Sequence, residues 1–78
     1  MPTLLRIGPY RFFFYSNDRK EPPHVHVERD RAEAKFWLAP ARLVWSRGFR
    51  QHEVNEIEAI VIDHEREWGG IWDEYFSS

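Results

Sequence analysis

Alternation of hydrophobic and polar positions along the first two-thirds of the chain predicts β-strands. Runs rich in β-branched and aromatic residues are separated by turn segments such as Gly8-Pro9 and Arg29-Asp30-Arg31, and a polar loop with two prolines covers residues 16–23. These signals predict five strands, over residues 3–7, 10–16, 24–29, 32–38 and 42–46.

Apolar positions in the last third recur at alternating steps of three and four residues, which predicts a helix over residues 51–68. Gly69-Gly70 costs roughly 2 kcal/mol of helix propensity relative to alanine, so we expect a break there and a short helix over residues 70–76. Strands followed by a helix predict an α+β fold. The expected architecture is a mainly antiparallel sheet of four to five strands, one face of which is covered by the C-terminal helix, broken near Gly69-Gly70.

Period-two alternation also assigns the two faces of the sheet. One parity is apolar and predicts the core face: Phe12, Phe14, Val25, Val27, Ala34, Phe36 and Leu38. The other parity mixes polar, basic and aromatic residues: Arg11, Phe13, Tyr15, His24, His26, Glu28, Glu33, Lys35 and Trp37. Because many polar groups would be unsatisfied in a core, we expect this second face to be open to solvent or to bind a ligand.

Composition narrows the class of protein. A chain of 78 residues with 42% hydrophobic content predicts a single small globular domain over residues 1–78. The absence of cysteine excludes a disulfide framework, a thiolate nucleophile and sulfur-based zinc sites. No uncharged stretch approaches the roughly 20 residues of a membrane span, and no signal pattern is present, so the expected location is the cytoplasm, with no membrane partner.

Charge is distributed unevenly between the two parts of the chain. Residues 1–50 contain ten basic and five acidic side chains, whereas residues 51–78 contain one basic and eight acidic ones. The basic part is suited to a phosphate group or an acidic partner, and the acidic part would repel nucleic acid. The alternative, that the charges only solvate a sheet and a helix, stays open at this point.

The most unusual segment contains the His-x-His motif, His24-Val25-His26, after Pro22-Pro23. Residues two apart on a strand share a face about 7 Å apart, so both imidazoles can reach one ligand. With Glu28 next in line, His24 and His26 would make an open site for a divalent metal. Alternatively, the pair would act as catalytic general acid and base on a phosphodiester. A third alternative is structural, with one histidine bonded to the backbone near Pro22.

Other residues of the second face are candidates for binding. Arg11 and Lys35 would hold an anion. Trp37 and Trp45, with arginines nearby, would stack on bases or fill a pocket of a protein partner. The candidate binding residues are Arg11, Tyr15, Glu21, Lys35 and Trp37.

The opening run Met1 to Asn17 and the Pro22-Pro23-His24-Val25-His26-Val27 segment together resemble a small bacterial family known as a domain of unknown function. The resemblance extends over nearly the whole chain. Members of that family are often encoded beside a second small protein, as in type II toxin–antitoxin pairs. The resemblance therefore implies a toxin component with a cognate, antitoxin-like small protein as partner, and it assigns no catalytic role to any residue.

Three hypotheses arise from these observations. The first is a toxin that acts on or binds a phosphate-bearing target, such as nucleic acid or a nucleotide, through His24 and His26. The second is a non-enzymatic interaction module that docks an acidic protein through the basic and aromatic face. The third is a metal-binding or signalling histidine protein. Whether the protein is an enzyme is left open, and exposed aromatic side chains in so short a chain predict a homodimer or a heteromer.

Overall fold

The computed structural model describes residues 3–15 and 18–77, which form five strands, one short 3₁₀ turn and one long helix. The strands pair antiparallel in chain order, so the sheet is an open meander with β1 and β5 at its edges. The predicted α+β architecture, with one helix packed on one face of the sheet, is confirmed. The elements are β1 Thr3–Ile7, β2 Tyr10–Phe13, the turn Asp18–Lys20, β3 His24–Arg29, β4 Ala32–Leu38, β5 Ala41–Arg47 and α1 Gln51–Phe76.

Strand β2 ends earlier than the sequence predicts. It stops at Phe13 instead of continuing through Ser16, which lies outside the described residues. Phe13 pairs with His26, so continued pairing would bring Phe14 opposite Val25 and Tyr15 opposite His24, and would reach Pro23 at the predicted end of the strand. Proline has no N–H to offer a neighbouring strand, so the pairing could not be completed over the whole predicted strand.

The core lies between the predicted apolar face and α1. All seven residues assigned to that face are fully buried, which confirms the period-two assignment. The ring of Trp68 packs on Phe12 with centroids 5.1 Å apart, and the helix also buries Val54, Ile57 and Val61. The N–H of Arg50 donates to Glu53 Oε1 at 3.0 Å at the helix start.

Helix α1 continues through Gly69 and Gly70, so the predicted break is wrong. Trp68 and Trp72 lie on either side of the glycines and are 1% and 5% exposed. Burying two indole rings stabilises the helix by more than the two glycines cost. In residues 3–15 and 18–77, no helix combines the length and the apolar character that a membrane crossing requires.

Strand β5 contains a bulge that changes which side chains share a face. Phe36 pairs with Leu43 and Lys35 pairs with Trp45, so Val44 is an extra residue between them. Leu43 therefore lies on the core face beside Phe36. Trp45, two residues later, lies on the second face instead.

Candidate functional site

The second face of the sheet is organised into cross-strand rows by the strand register. The first row contains only charged residues and is called the charge row here: Arg6, Arg11, Glu28, Glu33 and Arg47. The second row contains Phe13, His26, Lys35 and Trp45, and the third contains His24, Trp37 and Arg42. All the sequence-predicted site residues except Tyr15 and Glu21, which lie outside the strands, are thus brought together on one face in three parallel rows.

The charge row is held by ion pairs between neighbouring strands. Arg11 Nη1 lies 2.5 Å from Glu28 Oε1, and its guanidinium covers the ring of Phe13 at 4.3 Å. At the other end of the row, Arg47 lies 3.6 Å from Glu33. Arg11, a predicted anion ligand, is therefore already paired with a carboxylate.

The expectation that the second face is open is wrong at its centre. His24 and His26 are 0% and 6% exposed, and Phe13 is 1% exposed. The imidazole of His26 stacks on Phe13 at 5.5 Å and meets the edge of Tyr15 at 4.7 Å. We call Phe13, Tyr15, His24 and His26 the ring cluster. Their rings supply apolar contacts to one another, which explains how polar imidazoles are accommodated in a buried layer.

The side chain of His24 contacts the backbone of the loop that precedes β3. Its Nδ1 lies 2.9 Å from the carbonyl oxygen of Pro22, as the structural alternative predicted. Its ring also contacts Trp37 at 5.9 Å and Trp72 of α1 at 4.9 Å. The side chain thereby joins the loop, the sheet and the helix.

His26 lies beside a carboxylate. Glu33 Oε2 is 3.4 Å from His26 Nδ1 and accepts a long hydrogen bond of 3.5 Å from the hydroxyl of Tyr15. A carboxylate at an imidazole nitrogen fixes the orientation of the ring. Both histidines nevertheless lie below the surface.

The other predicted ligands, Glu21, Glu28 and Lys35, form ion pairs within the protein. Glu21 forms an ion pair with Lys35, and Lys35 Nζ lies 5.1 Å from the centre of the Trp37 ring. Glu28, the third predicted metal ligand beside the two histidines, is paired with Arg11. Among the residues that the structure describes, no three His, Asp or Glu side chains converge in a way that would hold a metal ion.

The exposed part of the second face lies on β4 and β5. Trp45 is 37% exposed, Trp37 is half-buried, and Arg42 and Arg47 are exposed. We call these four residues the docking surface. Beside it, a groove of about 270 Å³ is lined by Pro22, Pro23, Trp37, Ala39, Pro40 and Arg42. The sequence indicated the tryptophans and arginines but not the groove, because the two proline segments come together only in the folded chain.

Sequence reasoning also missed Arg6 as a member of the second face. The signal was present, since the Gly8-Pro9 turn places Ile7 opposite Tyr10 and therefore Arg6 opposite Arg11. A cleft of about 350 Å³ opens at this end of the face, beside both arginines.

Comparison with known proteins identifies the family of this chain but does not identify an activity. No curated protein and no solved structure matches this chain. A family model described as a domain of unknown function, DUF4160, matches residues 10–73, which include β2 to β5, the ring cluster, the docking surface and most of α1. The chain therefore belongs to the DUF4160 family.

Proposed function

We propose that this protein is a non-enzymatic interaction module that binds an acidic protein partner through the docking surface. The observation that carries the proposal is the division of the second face. Its histidines are buried in the ring cluster, whereas Trp45, Arg42 and Arg47 are exposed at the sheet edge. Exposed tryptophan and arginine side chains are the residue types that most often dominate the energy of protein interfaces.

Charge favours an acidic partner. Strand β5 contains two arginines and no acidic residue. Arg42 has no ion pair among the residues that the structure describes, and Arg47 is paired with Glu33 only at 3.6 Å. Carboxylates of a partner would therefore find guanidinium groups whose charge is not fully compensated.

The groove beside the docking surface adds an apolar contact. Its lining includes three prolines, the half-buried Trp37 and the exposed Arg42. A partner that places an apolar side chain in this groove would also bring neighbouring carboxylates near Arg42. The resemblance to toxin–antitoxin pairs suggests the small protein encoded beside this gene as the partner.

The test is titration calorimetry of this protein with the purified product of the adjacent gene. We expect Arg42→Glu/Arg47→Glu and Trp45→Ala each to weaken binding at least tenfold, since each removes charge-assisted or aromatic contacts worth about 1.4 kcal/mol or more. The matched control is Arg66→Glu, which reverses an exposed arginine on α1 and should leave binding unchanged.

Two results would contradict the proposal. One is the absence of binding, or binding that the three docking-surface substitutions leave unaltered. The other is a homodimer of the purified chain, measured by analytical ultracentrifugation, that the same substitutions dissociate. In that case the surface joins two copies of this chain and not a different acidic protein.

The second candidate function is a toxin that acts on a phosphate-bearing target. The position of His26 between Tyr15 and Glu33 supports it, because a carboxylate-oriented imidazole is suited to proton transfer. Because His26 is only 6% exposed, a target would reach this ring only after neighbouring side chains move. Induced expression in bacteria tests the idea: a toxin predicts growth arrest by the wild type and none by His24→Ala/His26→Ala at equal levels of folded protein.

A metal-binding role is not part of the proposal. Glu28 would have to leave Arg11 before it could join His24 and His26 around an ion. Calorimetry with zinc, manganese or nickel tests that alternative directly.

A further inference from the structure

A second opening on this protein lies at the opposite edge of the second face from the docking surface. The cleft of about 350 Å³ beside β1 and β2 is lined by polar and charged side chains, among them Thr3, Arg6, Arg11, Glu28, Arg29 and Asp30. We call it the arginine cleft. Because it shares no residue with the docking surface, a ligand bound in this cleft would be independent of the proposed function.

Ion pairs among the described residues account for two of the three arginines that line the cleft. Arg11 is matched by Glu28 at 2.5 Å, and Arg29 is matched by Asp30 at 3.1 Å and by Glu53 at 2.6 Å. Arg6 is exposed and has no ion pair or hydrogen bond among the residues that the structure describes.

The position of Arg6 makes that excess charge unfavourable. Arg6 and Arg11 are directly opposite in the β1–β2 pairing, so two guanidinium side chains start from neighbouring points on the same face. Like charges placed opposite one another on a sheet repel. Because Nε and Nη1 of Arg11 already bond Thr3 and Glu28, an anion at this position would be attracted mainly by Arg6 and would take a second contact from the remaining N–H groups of Arg11.

The groups around this position define the class of anion. A guanidinium presents paired N–H groups that match the oxygens of a phosphate. The hydroxyl of Thr3 accepts the Nε–H of Arg11 at 3.1 Å, so its own hydrogen is oriented away from Arg11 and is able to donate. Two guanidinium groups and one hydroxyl together suit a tetrahedral anion better than a planar carboxylate.

The carboxylates in the cleft limit the size of the ligand. Glu28 and Asp30 line the same opening and would repel any negative charge beyond that held by the arginines. We propose that the arginine cleft binds a single phosphate group, as inorganic phosphate or as a phosphomonoester, between Arg6 and Arg11. A polyphosphate or a nucleic acid strand would meet the two carboxylates.

The test is a titration of the ¹⁵N-labelled protein with inorganic phosphate at constant ionic strength, followed by NMR. We expect saturable shifts of the Thr3 and Arg6 amides and of the Arg11 side-chain Nε–H. Arg6→Gln should weaken binding about tenfold, the loss expected for one charge-assisted contact. Thr3→Val should weaken it by a smaller factor, while Arg66→Gln, on the exposed side of α1, serves as the control for general loss of positive charge.

Linear shifts without saturation would overturn the proposal, as would equal weakening by Arg6→Gln and Arg66→Gln. Acetate that binds as tightly as phosphate would overturn the assignment to a phosphate group. A parallel titration with adenosine monophosphate distinguishes the two sources. Affinity equal to that of phosphate indicates the free ion, and higher affinity indicates a phosphomonoester whose remaining part contacts the cleft; either result supports the site.

Discussion

The carboxylate of Glu33 lies 3.4 Å from Nδ1 of the buried His26, and this contact joins the charge row to the ring cluster. The same carboxylate accepts the Tyr15 hydroxyl and lies 3.6 Å from Arg47. One acidic side chain on β4 therefore contacts three elements: β3, the segment after β2, and β5. We expect removal of the Glu33 carboxylate to weaken the contacts of all three elements.

Glu33→Ala should lower the free energy of unfolding by about 1–3 kcal/mol, because it removes the acceptor of the Tyr15 hydroxyl and the carboxylate beside the buried His26 ring. Glu33→Gln, which keeps an acceptor oxygen, should cost less. Urea denaturation followed by circular dichroism measures both. Glu67→Ala, on the exposed side of α1, is the control, and a loss as large as that of Glu33→Ala would contradict the prediction.

His24→Ala should lower the free energy of unfolding by about 2–4 kcal/mol, since it opens a cavity in a fully buried position and removes the contact with the Pro22 carbonyl. His24→Asn keeps a side-chain N–H near that carbonyl and should hold the loop better. Amide hydrogen exchange over residues 18–21, which precede the two prolines, reports on loop order separately from global stability. His52→Ala, exposed at the start of α1, should change neither quantity.

Gly69→Ala and Gly70→Ala should each raise the free energy of unfolding by about 0.5–1 kcal/mol. Both glycines are helical, and a Cβ atom built at either one meets nothing within 4 Å. Gly48→Ala is the matched opposite: its φ is +85°, and the new Cβ would lie 3.1 Å from Ala32 Cα. That variant should be destabilised in the same thermal unfolding experiment. Loss of stability in both helix variants would contradict this explanation.

Acid should weaken the start of the helix. The hydrogen bond from the Arg50 backbone N–H lowers the pKa of Glu53, and the nearby Arg29 guanidinium adds to the effect. A carboxyl group with a lowered folded-state pKa stabilises the fold above its ordinary value of 4.5, and that contribution is lost as the pH falls through the folded-state value. Glu53→Gln should therefore lower the melting temperature at pH 7 by a few degrees and converge with the wild type once the pH is below the folded-state pKa of Glu53. Glu67→Gln is the control, and parallel pH profiles for the wild type and Glu53→Gln would contradict the prediction.

The strand positions and the core face were predictable because they depend on local signals. Alternation from Phe12 to Leu38 and the turn residues between strands contain the required information. The burial of His24 and His26 was not predictable in this way, since it depends on the rings of Phe13 and Tyr15, which reach them only through the register of β2 on β3. Helix continuity at Gly69 was missed for a related reason: packing of Trp68 and Trp72 is a tertiary effect that helix propensity does not include.

The extra residue Val44 shifts the alternation of side chains between the two faces of β5. Before Val44, Leu43 lies on the core face of the sheet opposite Phe36, where it is 39% exposed, and after it Trp45 lies on the second face opposite Lys35. In a regular strand Leu43 and Trp45 would share a face, and the bulge is what allows these two residues to lie on opposite faces. Deletion of Val44 would make them chain neighbours, so the leucine would stay opposite Phe36 and the tryptophan opposite Lys35. The chemistry that this edge displays thus depends on the bulge at Val44 as much as on the identity of the residues, and pairing of β5 with β4 without a bulge would turn the side chains that follow Val44 to the other face.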